Sequence, residues 1–453
     1  MQLALIRSCF GLPKFTYCLR TCDPAIVSKE FASFDDAQCD ALSSIVGSTL
    51  STQDPHWILA SLPVSLGGLG LRSAAIHSSA AFVASLIQTL SLVKKILSPI
   101  SSQRDASQAL SHLRNASAHA TTPLPLAPPP SVGAGIGGGD GPSMAAESNA
   151  SHPISLLGSS AAPSQLASLG NIDPKTPQRL LSRRVDESRL HVLEQMDLGE
   201  RFRIILQSNR LKGTGAFLNV VPSPALGLYV PPREFTAAVK YRLGLPLYPS
   251  PGPCSLCHKE SDVFGDHAIS ACTVGGDRTR RHDRLVDVIY ERAKAALLHP
   301  QKEERNLLDD ASRPGDITIE RPWPLHRGKP KIAFDVTVTS PLRHDIRHLV
   351  LDSPKAPLEK AREAKFRKYR DKLPSDIGLI PLAVTTVGAW EENAALNLKE
   401  LIKQQAANWR ADGVKLLRHF FERLSVVLQR ENGSMLIERS PLRDLPTHVD
   451  GLL

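Results

Sequence analysis

No stretch of this 453-residue chain reaches the roughly 18 uninterrupted apolar residues that a membrane-crossing helix needs; the nearest, Ala80 to Leu97, is broken by serines and lysines. No secretory leader is expected either. The apolar run Met1-Gln-Leu-Ala-Leu-Ile is too short for a signal core, has no small-residue cleavage site and continues into Arg7 and Lys14. Nor do the seven cysteines make a disulfide framework: three cluster between Cys254 and Cys272, leaving Cys9, Cys18, Cys22 and Cys39 scattered. These absences point to a soluble protein of a reducing compartment, the nucleus or cytosol, with the nucleus preferred. Acidic residues are in deficit, 45 against 54 basic ones, and the net charge of +9 favours a polyanionic partner such as nucleic acid over an acidic small molecule.

Proline and glycine are plentiful, 35 and 29, and many are clustered, so part of the chain is expected not to pack. Residues 1–100 show apolar positions at three- and four-residue spacing (Leu42, Ile45, Val46; Ala81, Ala84, Ile87), broken by the glycine turn Pro63-Val-Ser-Leu-Gly-Gly-Leu-Gly-Leu-Arg72. Residues 101–176 collapse to Ser, Ala, Pro and Gly and read as a disordered linker. A helical connector is expected over 177–250, a metal knuckle and helix over 251–300, an α/β core over 301–395 and closing helices over 396–453. Within the core the expected order is a helix from Asp283 to Leu298, two strands paired across the turn 321–330, a lysine-bearing helix, and a third strand over Ile380–Val387.

Two constellations carry chemistry. Cys254, Cys257, His267 and Cys272 form a C-x2-C-x9-H-x4-C array, whose short first and last loops let four soft or borderline ligands close a tetrahedron around one zinc ion, with His258 a competing ligand. A closed four-ligand shell leaves no open position, so zinc here is expected to scaffold rather than hydrolyse. Downstream, Asp316 opens one short strand and Asp335 lies on the next, alternating with Ile332, Phe334, Val336 and Val338 so that it projects from the opposite face. Two carboxylates at that spacing can share a divalent cation, and phosphodiester hydrolysis also needs a positive charge near the scissile phosphate. Ala361, Lys365, Lys368 and Lys372 recur along one helical face, which leaves Lys365 and Lys368 as alternatives for that charge. Glu304 is a weaker third acid, in a charge cluster of surface character.

The run Cys254 to Cys272, then Arg280-Arg-His-Asp-Arg284, Arg313-Pro-Gly-Asp316, Phe334-Asp-Val-Thr-Val-Thr-Ser-Pro341, Lys365-Phe-Arg-Lys-Tyr369 and Pro381-Leu-Ala-Val resembles the C-terminal end of non-LTR retrotransposon polyproteins that encode a restriction-like endonuclease. The resemblance covers roughly residues 184–440. It implies a CCHC zinc motif ahead of a PD-(D/E)xK nuclease fold, α/β in its core and flanked by all-α segments, with a lysine migrated from the strand to the following helix. Thr337 occupies the ordinary lysine slot. Residues 1 to about 95 similarly resemble the thumb and post-thumb segment of the same elements' reverse transcriptase, through Leu3-Ala-Leu-Ile-Arg-Ser-Cys9, Tyr17-Cys-Leu-Arg20 and Leu62 to Arg72.

Two departures qualify the match. Neither Asp35-Asp36 nor Asp309-Asp310 stands in the Tyr-x-Asp-Asp context of a polymerase palm, so polymerase activity is expected to be absent. Gly315 separates Pro314 from Asp316 where the family has them adjacent, an insertion whose expected cost is backbone entropy alone. The implied function is metal-dependent DNA endonucleolysis by a truncated element: Asp316 and Asp335 on catalytic magnesium, Lys365 or Lys368 at the phosphate, structural zinc in the knuckle, and DNA, with the element's RNA, as partner. The alternative from the residues themselves is a non-catalytic nucleic-acid-binding remnant, its knuckle and basic helices holding phosphates while the acids cap turns.

Overall fold

The computed structural model describes residues 2–97, 176–305, 307–308, 314–326, 328–369 and 371–440. The expected linker therefore lies outside the described residues apart from Thr176, as do Arg313, Asp309-Asp310 and the tail 441–453. The chain is mixed α/β and divides into two compact units: residues 1–12, 36–72 and 189–453 in one, and 13–35 and 73–188 in the other. Among the described residues no helix is long and apolar enough to cross a membrane.

Helices α1 (Gln2–Ser8), α2 (Leu12–Thr21), α3 (Ser28–Val46), α4 (Pro55–Ser61) and α5 (Ala74–Leu97) come first. Then follow α6 (Pro177–Gln195), α7 (Glu200–Asn209) and α8 (Pro232–Leu243). In the smaller unit, Asp35 is a helix cap: its carboxylate accepts from the backbone N–H groups of Ala74 (2.6 Å) and Ala75 (3.2 Å), satisfying donors that the first turn of α5 leaves free. The imidazole of His77 on the same helix reaches Asp186 at 3.1 Å, both buried.

In the larger unit Leu42, Trp57, Leu59, Leu69, Leu71, Leu193, Phe202 and Leu243 share one buried cluster. The glycine turn at 63–72 is held from the interior by the buried Arg242, which donates to the carbonyls of Gly68 and Val64, both at 3.2 Å. Burial with Arg7 nearby lowers the Arg242 guanidinium to about 9, and the carbonyl partners compensate for lost hydration.

The hairpin strands β1 (Gly252–Pro253) and β2 (Glu260–Ser261) begin the knuckle, and α9 (Asp277–Ala295) follows it. Next come β3 (Gln301–Lys302), β4 (Ile317–Ile319), β5 (Lys331–Thr339), a short α10 (Arg347–Val350), α11 (Ala356–Tyr369), β6 (Ile377–Thr385), α12 (Glu392–Trp409) and α13 (Gly413–Glu438). The four-stranded sheet runs β3-β4-β5-β6, antiparallel except that β5 and β6 are parallel over nine residue pairs. Trp323 fills the β4–β5 connection, its indole donating to Asn397 Oδ1 at 2.6 Å and standing edge-on to Phe334.

Ile332, Phe334 and Val336 enter a core with Leu285 and Ile289 of α9, Leu398 of α12 and Phe420 of α13. The opposite face of β5 is not open: Ala333 is buried with Tyr369, Ile377 and Leu379, and all nine residues of β6 are buried. Alternation put Asp335 on the correct face, but helix α11 covers that face too. Helix α11 also ends earlier than the lysine spacing suggested. Tyr369 is buried in that cluster and the chain turns there, so Lys372 follows the helix instead of extending its lysine face.

Helix α13 crosses α8 at Gly433, where an added Cβ would lie 2.5 Å from the Glu234 carbonyl oxygen and 2.7 Å from its Cα. Helix propensity favours alanine by roughly 0.5–1 kcal/mol, but overpacking against a rigid backbone costs about 1–3 kcal/mol. Gly433→Ala is expected to lower unfolding stability by about 2 kcal/mol; an unchanged or raised urea midpoint would show that the helices slide apart freely.

Candidate functional site

The knuckle is built from a hairpin and one wide helical turn. The β1–β2 pair fixes the loop carrying Cys254 and Cys257, with the Cys254 N–H donating to the Lys259 carbonyl at 2.8 Å. Asp262 caps the next segment, accepting from the N–H groups of Phe264 (2.7 Å), Asp266 (3.2 Å) and His267 (3.2 Å), which starts the turn His267–Ala271. Cys272 ends it. The ligand atoms of Cys254, Cys257, His267 and Cys272 all lie within 4.8 Å of one another, with Cys257 Sγ 3.0 Å from His267 Nε2. His258 stays out of this group, its backbone in the left-handed region at φ 58° and its side chain exposed.

The donor set suits a metal such as zinc. Burial lowers His267, which keeps the imidazole neutral with a lone pair to give. Burial alone would raise the Cys272 thiol, but hydrogen bonds with Arg439, the Val274 backbone and Cys257, together with the Arg439 charge, jointly outweigh it and favour thiolate. Around this shell Arg201 clamps Asp266 through two bonds, 2.7 and 2.8 Å, with its guanidinium 4.0 Å from the Phe264 ring centre. Ala268 and Ile269 pack with Tyr248 and Leu436, and the fully buried Arg439 donates to the Val274 carbonyl at 2.8 Å and pairs with Asp277.

The acids form the second constellation. The register pairs Ile317 with Phe334, and Asp316, one residue ahead, donates its N–H to the Phe334 carbonyl at 2.8 Å, close enough for its charge to act on Asp335. Close approach of these strands depends on Gly315, where a Cβ would lie 2.8 Å from that of Ala333. Glycine there is a packing requirement as well as an entropic cost. Asp316 Oδ2 accepts from the Val336 N–H at 2.6 Å and meets His282 Nε2 at 3.1 Å, while Oδ1 takes no hydrogen bond among the described residues. Asp335 is 3 % exposed; its Oδ1 accepts from Lys365 Nζ at 2.7 Å, and its buried Oδ2 has no hydrogen-bond partner among the described residues. Burial pushes Asp335 up to about 6, with Lys365 opposing the rise and the charge of Asp316 adding to it.

The two lysines separate. Lys365 is on Asp335, whereas Lys368 is exposed with its ammonium 4.7 Å from the Tyr369 ring centre. Glu304 is not brought to the pair; it binds Thr318 and, at 2.6 Å, Lys331.

His282 was not singled out from sequence as a site residue. Burial opposes its charge, but the hydrogen bond and charge of Asp316, with Asp283, raise it to about 9, so it is an imidazolium at neutral pH. Its signal was present: His282 stands three and seven residues before Leu285 and Ile289, both buried against the sheet. A helix begun at Asp283 leaves it out; the helix begins six residues earlier, at Asp277.

No model of a known protein family matches this chain, and no curated protein matches it either.

Proposed function

We propose that this chain is a divalent-metal-dependent DNA endonuclease with a restriction-endonuclease-like core, similar to the C-terminal part of a non-LTR retrotransposon polyprotein, acting in the nucleus. The observation that carries the reading is the acid pair on neighbouring strands, each acid keeping one carboxylate oxygen without a hydrogen-bond donor while the other is held. Asp335 Oδ2 is buried, where polar atoms are rarely left so, while the Asp316 side chain is 20 % exposed; a cation beside Asp316 Oδ1 would give the Asp335 oxygen the partner it lacks.

Asp316 and Asp335 would hold a magnesium ion, which when bound supplies Lewis acidity at a phosphoryl oxygen and a more acidic water. The protein's own groups do the rest. Lys365, now on Asp335, is placed to turn its ammonium toward a phosphate oxygen as negative charge grows there. Lys368, exposed on the same helix, meets the DNA backbone as a point charge. The knuckle and its clamps keep α9 and α13 in place beside the sheet.

The test is nicking of supercoiled plasmid with magnesium and after its removal, in the wild type, Lys365→Ala and Lys368→Ala. Nicking is expected with magnesium only. Lys365→Ala is expected to slow it about 10²- to 10³-fold at nearly unchanged DNA affinity, and Lys368→Ala to weaken binding while lowering the salt slope by about one. DNA binding without nicking under any divalent ion would replace the reading with a non-catalytic nucleic-acid-binding protein.

A further inference from the structure

Asp316 Oδ2 carries two donors, and only one belongs to the sheet. The Val336 N–H comes with the strand; the second, His282 Nε2, comes from α9. That imidazole is held at both ends, with Nδ1 3.0 Å from Asp283 Oδ1, so the ring cannot turn without losing one carboxylate. Helix α9 is itself fastened over its first turns. Arg280 pairs with Asp277 (2.8 Å) and Glu431 (3.0 Å), Arg281 donates to Asn432 at 2.8 Å, and Asp277 meets the buried Arg439. Two donors on one oxygen, one from a rigid strand and one from an anchored helix, fix the plane of the Asp316 carboxylate and leave Oδ1 without a donor among the described residues.

We propose that His282 is a positioning residue for the acid pair: by holding Asp316 Oδ2 it presents Oδ1 to the divalent ion and so sets the affinity of the site for metal. This rests on the endonuclease reading. A structural tie between α9 and the sheet would show only in stability, whereas a residue that orients a metal ligand shows in metal affinity, because loss of such an outer partner weakens metal binding about 10- to 100-fold.

The experiment is manganese binding by calorimetry to the zinc-loaded full chain, without DNA, for the wild type, His282→Ala and His282→Gln, alongside nicking as a function of magnesium concentration and DNA affinity in the absence of magnesium. His282→Ala is expected to bind manganese about 10- to 100-fold more weakly and to need correspondingly more magnesium for half-maximal nicking, with DNA affinity unchanged. His282→Gln, whose amide still donates, is expected to recover most of the loss and keeps the test valid if the alanine variant folds poorly. Manganese affinity equal to wild type in both variants, while the wild type nicks DNA, overturns this proposal and leaves the endonuclease standing. A wild type that neither binds manganese nor nicks overturns the endonuclease reading and this proposal with it.

Discussion

Asp335→Asn is expected to abolish magnesium-dependent nicking and, at the same time, to make the protein harder to unfold at pH 8. Removing one of the two carboxylates proposed to hold the metal would take away several kcal/mol of transition-state stabilisation, a rate loss of roughly 10³-fold or more. Stability moves the other way. Asp335 is a buried acid raised from 3.8 to about 6, so between those values the folded chain holds a proton that the unfolded chain releases, and stability falls as pH rises. The full penalty, on the order of 3 kcal/mol, is reached above pH 6 and is absent below the unfolded value. The asparagine variant never ionises, and the partner it abandons, Lys365, has 25 % of its side chain exposed and can turn to water. A net gain of about 1–2 kcal/mol is expected at pH 8 after discounting the lost pair, fading toward pH 4. Urea unfolding of both proteins across that range, without added magnesium, reads it directly. A variant less stable than wild type at pH 8 would mean that the Lys365 pair outweighs desolvation; a variant that still nicks would remove Asp335 from the metal site.

The second large effect is expected at the knuckle. Cys257 Sγ lies 3.0 Å from His267 Nε2, so Cys257→Ser removes a thiolate from the centre of the ligand group. Bound zinc is expected to fall from one per chain to near zero, and protease cleavage to appear between residues 254 and 276. The reason is size: among the knuckle's own side chains Ala268 and Ile269 are the buried apolar ones, too few to offset the ordering of some twenty residues at roughly 1–2 kcal/mol each. Metal binding supplies the difference, about 10–16 kcal/mol in isolated zinc-finger peptides. Elemental analysis and limited proteolysis check both halves. Wild-type protein purified without chelator and carrying no zinc would count against the metal centre itself.

What could be read ahead of the structure follows the range of the interaction concerned. The knuckle ligands lie within nineteen positions of one another and are brought together by a hairpin and one turn, so spacing was sufficient. Strand alternation placed Asp335 opposite Ile332 and Phe334, because a period of two is local. Its burial was not legible, since Tyr369 and Leu379, which cover that face with Ala333, come from elements beyond the strand. Lys365 and Lys368, three residues apart on one helix, could not be told apart by periodicity, and only the placement of α11 put Lys365 on Asp335. Residues 1–100 look like one helical stretch in sequence, yet they are shared between two compact units, a division made by contacts of long range.

Arg439 bears on the order in which the protein becomes whole during synthesis. Its guanidinium reaches the Val274 carbonyl across 165 positions of chain, and the same side chain meets Asp277 and bonds Cys272. A ribosome adding roughly 5–20 residues per second needs about 8 to 33 s to cover that interval. For the later part of it, once the cysteines have cleared the tunnel, Cys272 still lacks Arg439 and Asp277 has only its neighbour Arg280. Zinc can be captured early from local residues alone, but the thiolate and the first turn of α9 reach their final electrostatic setting only when the end of α13 has been made. A nascent chain stopped before Arg439 would therefore carry a metal-bound knuckle beside an acid pair whose supporting helix is not yet locked.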